Sequence, residues 1–165
     1  MTVLNGLRAQ LGEIGCRVEL RPDGLDIVGQ TDHLTRELLV ETRRVKPALT
    51  VQLLREQAQN LVAFIDGEAP LAERQARLPE LFKVQERLYR AQTELWASWR
   101  RDGFMIMWSP LVEEFIVVGD PPPPPGSEAL VFYTWAEVEA MEDASPERVR
   151  AAHQLKKAFA GKVRA

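Results

Sequence analysis

The sequence predicts an α+β protein on three observations. Leucines recur at helical spacing ahead of a glycine. A short alternating stretch closes on a turn. After Gly103 the pattern changes from helical periodicity to brief apolar runs rich in β-formers. Val3, Leu4, Leu7, Leu11 and Ile14 mark the first helix, and Gly15 stands where a C-terminal cap would sit. In the next stretch Cys16, Val18 and Leu20 point one way and Arg17, Glu19 and Arg21 the other. Pro22-Asp23-Gly24 supplies the turn, because proline presets φ and glycine accepts φ > 0. Leu25 and Ile27 then continue the apolar face, which completes a β-hairpin.

Thr35 is an N-cap candidate for the next helix, with Glu37 suited to its positive end and Leu38 facing inward. Pro47 fits the first position of a further helix carrying Leu49, Leu53, Leu54, Leu61, Val62 and Ile65, which ends at Asp66-Gly67. From Pro70 to Arg101 the chain reads as helix again. Leu81-Phe82, Leu88-Tyr89 and Leu95-Trp96 are spaced seven apart, flanked by Leu78 and Trp99, and draw an apolar stripe. Such a stripe serves a core within the protomer or a homodimer seam. Three short strands are expected in 104–108, 114–120 and 129–134, the last two joined through the Pro121 to Pro125 run read as a stiff polyproline II hairpin loop. Two helices close the chain, the last opening at Ser145-Pro146-Glu147. The expected architecture is an N-terminal αββαα unit over 1–56, a helical connector over 57–103 and a small α+β domain over 104–165 with a short antiparallel sheet.

Composition narrows function more than it names it. The chain has 165 residues, 45% of them apolar and 27% charged, with a formal net charge of -3. That balance gives no global reason to bind nucleic acid. Cys16 is the only cysteine, so neither an intrachain disulfide nor a thiolate cluster can form, and its inward parity marks it as a small buried hydrophobe. No secretion signal or membrane-length apolar run is present, so a cytoplasmic protein with no membrane partner is expected. His33 and His153 form no ligand pair, and no phosphate loop, nucleophile elbow or Cys-His signature occurs. Glu113, Glu114 and Asp120 read as solvated charges. We therefore expect no catalysis, no cofactor and no metal. Arg148, Arg150, His153, Lys156, Lys157, Lys162 and Arg164 make the last helix basic, a face that nucleic acid would accept through its phosphates.

From about residue 3 to 55 the chain resembles the TubC N-terminal docking domain family of the tubulysin synthetases. The resemblance rests on Leu7, Gly15, Val18, Asp23-Gly24-Leu25, Ile27, the block Leu34-Thr35-Arg36-Glu37-Leu38, then Lys46, Leu49 and Leu53. Thr42 and Thr50 stand where the family usually has leucine, and Pro47 is inserted in the "KxxL" step. The resemblance implies an αββαα domain, often homodimeric, whose hairpin edge takes up a short C-terminal peptide of another protein by β-augmentation. Leu25 and Ile27 would anchor the hairpin, leaving Arg17, Glu19, Arg21, Asp26 and Val28 as the peptide-binding candidates. The two arginines would favour an acidic peptide; the same charges would also discourage edge-to-edge aggregation. No synthetase module follows in these residues, so only the interaction mode carries over. The expectation is a non-catalytic protein-protein interaction adaptor. The alternative is a nucleic-acid-associated accessory protein, as of a mobile element, working through the basic last helix.

Overall fold

The computed structural model describes residues 2–164, with side chains described through Ala160. The chain forms two compact units. One is Leu7–Leu95; the other runs from Trp96 to the C-terminus and includes the first residues up to Gly6.

Helix α1 (Val3–Glu13), which enters the first unit at Leu7, gives way at Gly15, whose φ of +77 is left-handed. Strands β1 (Cys16–Arg21) and β2 (Gly24–Gly29) pair antiparallel, from Cys16 with Gly29 to Arg21 with Gly24. Pro22-Asp23 is thus a two-residue turn. Helix α2 (Arg36–Arg44) starts where Thr35 accepts the Leu38 N–H at 3.2 Å, as the sequence predicts. Helix α3 (Lys46–Ile65) follows with Pro47 in its first turn, where a missing N–H costs nothing.

The helical stretch after Pro70 is broken into α4 (Leu71–Ala76) and α5 (Leu78–Arg101). Leu7, Leu11, Cys16, Leu49, Leu54, Leu61, Leu81, Val84 and Leu95 fill the core. Each such leucine contributes roughly 1.5–3 kcal/mol by leaving water. The two threonines that depart from the family pattern satisfy themselves locally. Thr42 donates to the Leu38 carbonyl at 2.7 Å and Thr50 to the Lys46 carbonyl at 2.8 Å.

The second unit is built on β3 (Met105–Ser109), β4 (Glu114–Val118) and β5 (Val131–Tyr133), in that spatial order, with α6 (Trp135–Glu142) and α7 (Pro146–Arg164). β3 and β4 are antiparallel, but β5 runs parallel to β4, with Ile116 opposite Val131. The sheet is therefore mixed, and the proline run does not close a hairpin. It belongs to a crossover, because a parallel neighbour must be entered from the opposite end. The Pro121–Pro122 peptide is cis where an all-trans polyproline II run was expected. Ile116, Val118, Val131 and Tyr133 form one face of the core with Met107, Val138 and Met141. Thr134 caps α6 in a reciprocal box with Glu137, and Ser145 accepts the Arg148 N–H at the start of α7.

Helix α5 resolves the apolar stripe by sides. Leu81, Val84, Ala91 and Leu95 are buried, whereas Phe82 and Tyr89 remain 63% and 77% exposed. Farther along, Trp96 meets Phe115 at 5.5 Å between ring centroids and Trp99 donates to the Pro125 carbonyl at 3.3 Å. Among the described residues no helix is long and apolar enough to cross a membrane.

Candidate functional site

The hairpin presents its two faces as the alternation requires. Cross-strand partners share a face, so Arg17 with Val28, Glu19 with Asp26, and Arg21 lie together opposite the Val18–Ile27 and Leu20–Leu25 pairs. All five sequence candidates are thus on one surface. Their charges are matched among themselves. Glu19 sits 2.6 Å from Arg17 and 3.6 Å from Arg21, and Arg21 lies 3.7 Å from Asp26. Arg17, Arg21 and Asp26 are exposed; Glu19 and Val28 are half-buried.

The edge of β2 has its own geometry. The Ile27 N–H donates to the carboxylate of Asp26 at 2.9 Å, and so is not spent on β1. Antiparallel ladders alternate, so Leu25, Ile27 and Gly29 turn their backbone groups to the outer edge. Beside that edge lies a groove of about 340 Å³ lined by Leu25, Ile27, Leu34, Leu39 and Leu49, with Asp26, Arg43 and Lys46 also on it. The turn end of the hairpin is held from α5, where Arg87 donates to the carbonyls of Arg21 and, at 3.1 Å, Gly24. Arg43, Lys46 and Arg87 were not among the sequence candidates. Lys46 was legible only as a motif position, and Arg87 comes from too far along the chain to be seen.

The second unit holds a buried polar cluster that sequence reasoning missed. His153 is 1% exposed. Its Nδ1 lies 2.6 Å from the Tyr133 hydroxyl and its Nε2 3.1 Å from Glu114. Both ring nitrogens therefore have a hydrogen-bond partner, Nε2 the Glu114 carboxylate and Nδ1 the Tyr133 hydroxyl. The hydrogen bond from Lys157, then that from His153, hold the Glu114 carboxyl below its ordinary range. Burial, aided by Glu137 and Glu114, pushes the Tyr133 phenol up to about 12. Burial would raise Glu137 as well, but the Thr134 backbone and Lys156 outweigh it and lower it. Lys156 reaches Glu137 at 3.0 Å and stands 4.4 Å above the Tyr133 ring.

The expectations of a merely solvated Glu114 and of His153 on a basic outer face are therefore corrected: Glu114 is half-buried and paired, and His153 is buried. Both ring nitrogens are occupied and the phenol is kept neutral, an arrangement that fastens α7 to β4 and β5. No local motif announces it, because the partners come from separate elements. Other basic residues of α7 have partners at the surface of their own unit: Arg150 donates to the Leu111 carbonyl at 3.0 Å, and Lys156 and Lys157 have carboxylate partners. The Lys162 and Arg164 side chains lie outside the described residues. Among the described residues no cluster of His, Cys, Asp or Glu could hold a metal. No family model, curated protein or solved structure matches the chain.

Proposed function

We propose that the chain is a non-catalytic adaptor that takes up a short peptide of a partner protein along the outer edge of β2. The observation that carries this reading is the open edge itself. Leu25, Ile27 and Gly29 offer backbone donors and acceptors there, and a groove lined by both apolar and polar residues, Arg43 and Lys46 among them, runs alongside. An added strand would replace the Asp26 carboxylate as acceptor for the Ile27 N–H. It would set alternate side chains on Leu34 and Leu39, so backbone bonds supply affinity and the groove supplies selectivity. Arg17 and Arg21 add selectivity for acidic residues, since a peptide carboxylate can compete for arginines that are paired only at the surface. The resemblance to docking domains supports the same mode. The burial of His153 removes one of the basic residues on which the nucleic-acid alternative relied.

The test is selection of displayed C-terminal peptides on the full chain, followed by calorimetry with the enriched sequence. Arg17→Glu with Arg21→Glu should weaken an acidic peptide by at least about tenfold, in line with the cost of reversing charge beside a bound partner. Unchanged affinity in that variant, or no enriched peptide, would refute docking at this face.

A further inference from the structure

On α7, Arg148, Ala152, Leu155 and Phe159 recur at i, i+4, i+7 and i+11 and so share one side of the helix. The core-facing side is a different one, defined by Val149 and His153. Leu155 and Phe159 are 73% and 70% exposed, an unusual amount of bare apolar surface on adjacent turns. Arg148 and Ala152 of the same stripe line a groove of about 500 Å³ between α7 and α6, whose walls include the small side chains Ala140 and Ala144. The groove is more open than enclosed. A small molecule usually needs most of its surface enclosed, so this shape suits a docked helix better.

We infer that the α6–α7 groove is the seat of a second copy of this chain, each copy laying its α7 antiparallel against the other about a two-fold axis. The sequence of the stripe is self-complementary in that one arrangement. The pair Ala152–Leu155 and the pair Arg148–Phe159 have the same midpoint, between His153 and Gln154. Setting Leu155 of one copy over Ala152 of the other therefore brings Phe159 to Arg148 without further adjustment. Small opposes large at the centre, and a guanidinium meets an aromatic face at each end. Like-charge repulsion between the two helices is reduced at Lys156 and Lys157, which each pair with a carboxylate of their own unit, Glu137 and Glu114.

The test is sedimentation equilibrium of the full chain from low to high micromolar concentration, with circular dichroism to follow folding. Wild type should dimerise, and Leu155→Glu should weaken the dimer at least about 30-fold, as expected for a central anchor. The sign of charge at position 159 reports the register. Phe159→Lys faces Arg148 with a like charge and should weaken the dimer at least about 30-fold, whereas Phe159→Glu gains a partner and should lose less than about tenfold. A chain carrying both Ala152→Cys and Leu155→Cys should form covalent dimers on oxidation. A wild type that stays monomeric overturns the inference. So do equal losses for the two charges at 159, or a Leu155→Glu dimer as tight as wild type. The substituted residues are exposed, so all variants should keep the wild-type dichroism.

Discussion

The two sheets of this protein solve opposite problems. In the hairpin, "CRVELR" alternates, and the structure uses one side for the helices and leaves charge on the other. In the C-terminal sheet the middle strand reads "EFIVV", and Ile116, Val117 and Val118 are all buried although successive residues face opposite ways. A strand buried on both faces has no room for alternation. The polar groups differ in the same sense. Arg17, Glu19, Arg21 and Asp26 pair in water, where pairing is worth little. Glu114, His153 and Tyr133 pair where an unmet hydrogen bond is costly. The first sheet keeps one face in water, and the middle strand of the second is closed on both faces.

The comparison breaks hardest at His153. Replacement by alanine leaves a cavity beside the core and strands the Tyr133 hydroxyl, and each effect destabilises. We expect a loss of roughly 2–4 kcal/mol by denaturant unfolding. A loss below about 1 kcal/mol, the value of an ordinary surface change, would mean that the second sheet is no more closed than the first.

What could be read from the sequence divides along the same line. The hairpin was legible because its determinants are local: Gly15, the alternation, the Pro22-Asp23-Gly24 turn and the Thr35 cap act within a few residues of one another. So was the start of α7 at Ser145-Pro146. The parallel placement of β5 was not legible, because strand direction is decided by the crossover and by Tyr133 reaching α7, a contact across 20 residues. The histidine cluster escaped for the same reason, since Glu114 and His153 stand 39 residues apart. On α5 the heptad spacing was readable, but which member of each pair faces inward was not. Leu81 and Leu95 went in, and Phe82 and Tyr89 stayed out. The break between α4 and α5 had a signal, Pro79, that the continuous helical reading passed over.

A finer difference between the sheets appears at high pH. The Tyr133 phenol is pushed up to about 12 from an ordinary 10.0, so between those values the unfolded chain gives up a proton that the folded chain keeps. The stability this group contributes is complete below pH 10, and is lost as pH rises toward 12. Tyr133→Phe should flatten that part of the stability profile in denaturant titrations at successive pH values. At neutral pH it should cost about 1–2 kcal/mol, because buried His153 loses the hydrogen-bond partner of its Nδ1. If the alkaline loss persists unchanged in the variant, Tyr133 is not its source.

The smallest effect is the one on which the docking reading leans most. Arg17 is bonded to Glu19 at 2.7 Å, yet both lie at the surface of a two-stranded ribbon and are hydrated with or without each other. Arg17→Ala should therefore change folding stability by less than about 0.5 kcal/mol. The contrast with His153 is the point: a charge that folding does not need is one a partner can borrow at little cost. Peptide exchange of Glu19 for a ligand carboxylate at Arg17 requires the intramolecular pair to be weak. A measured loss above about 1 kcal/mol for Arg17→Ala would place this pair among the structural ones, outside the usual range for exposed ion pairs. The outward face of the hairpin would then be holding the ribbon together, and peptide selectivity would have to come from Arg43 and Lys46 in the groove.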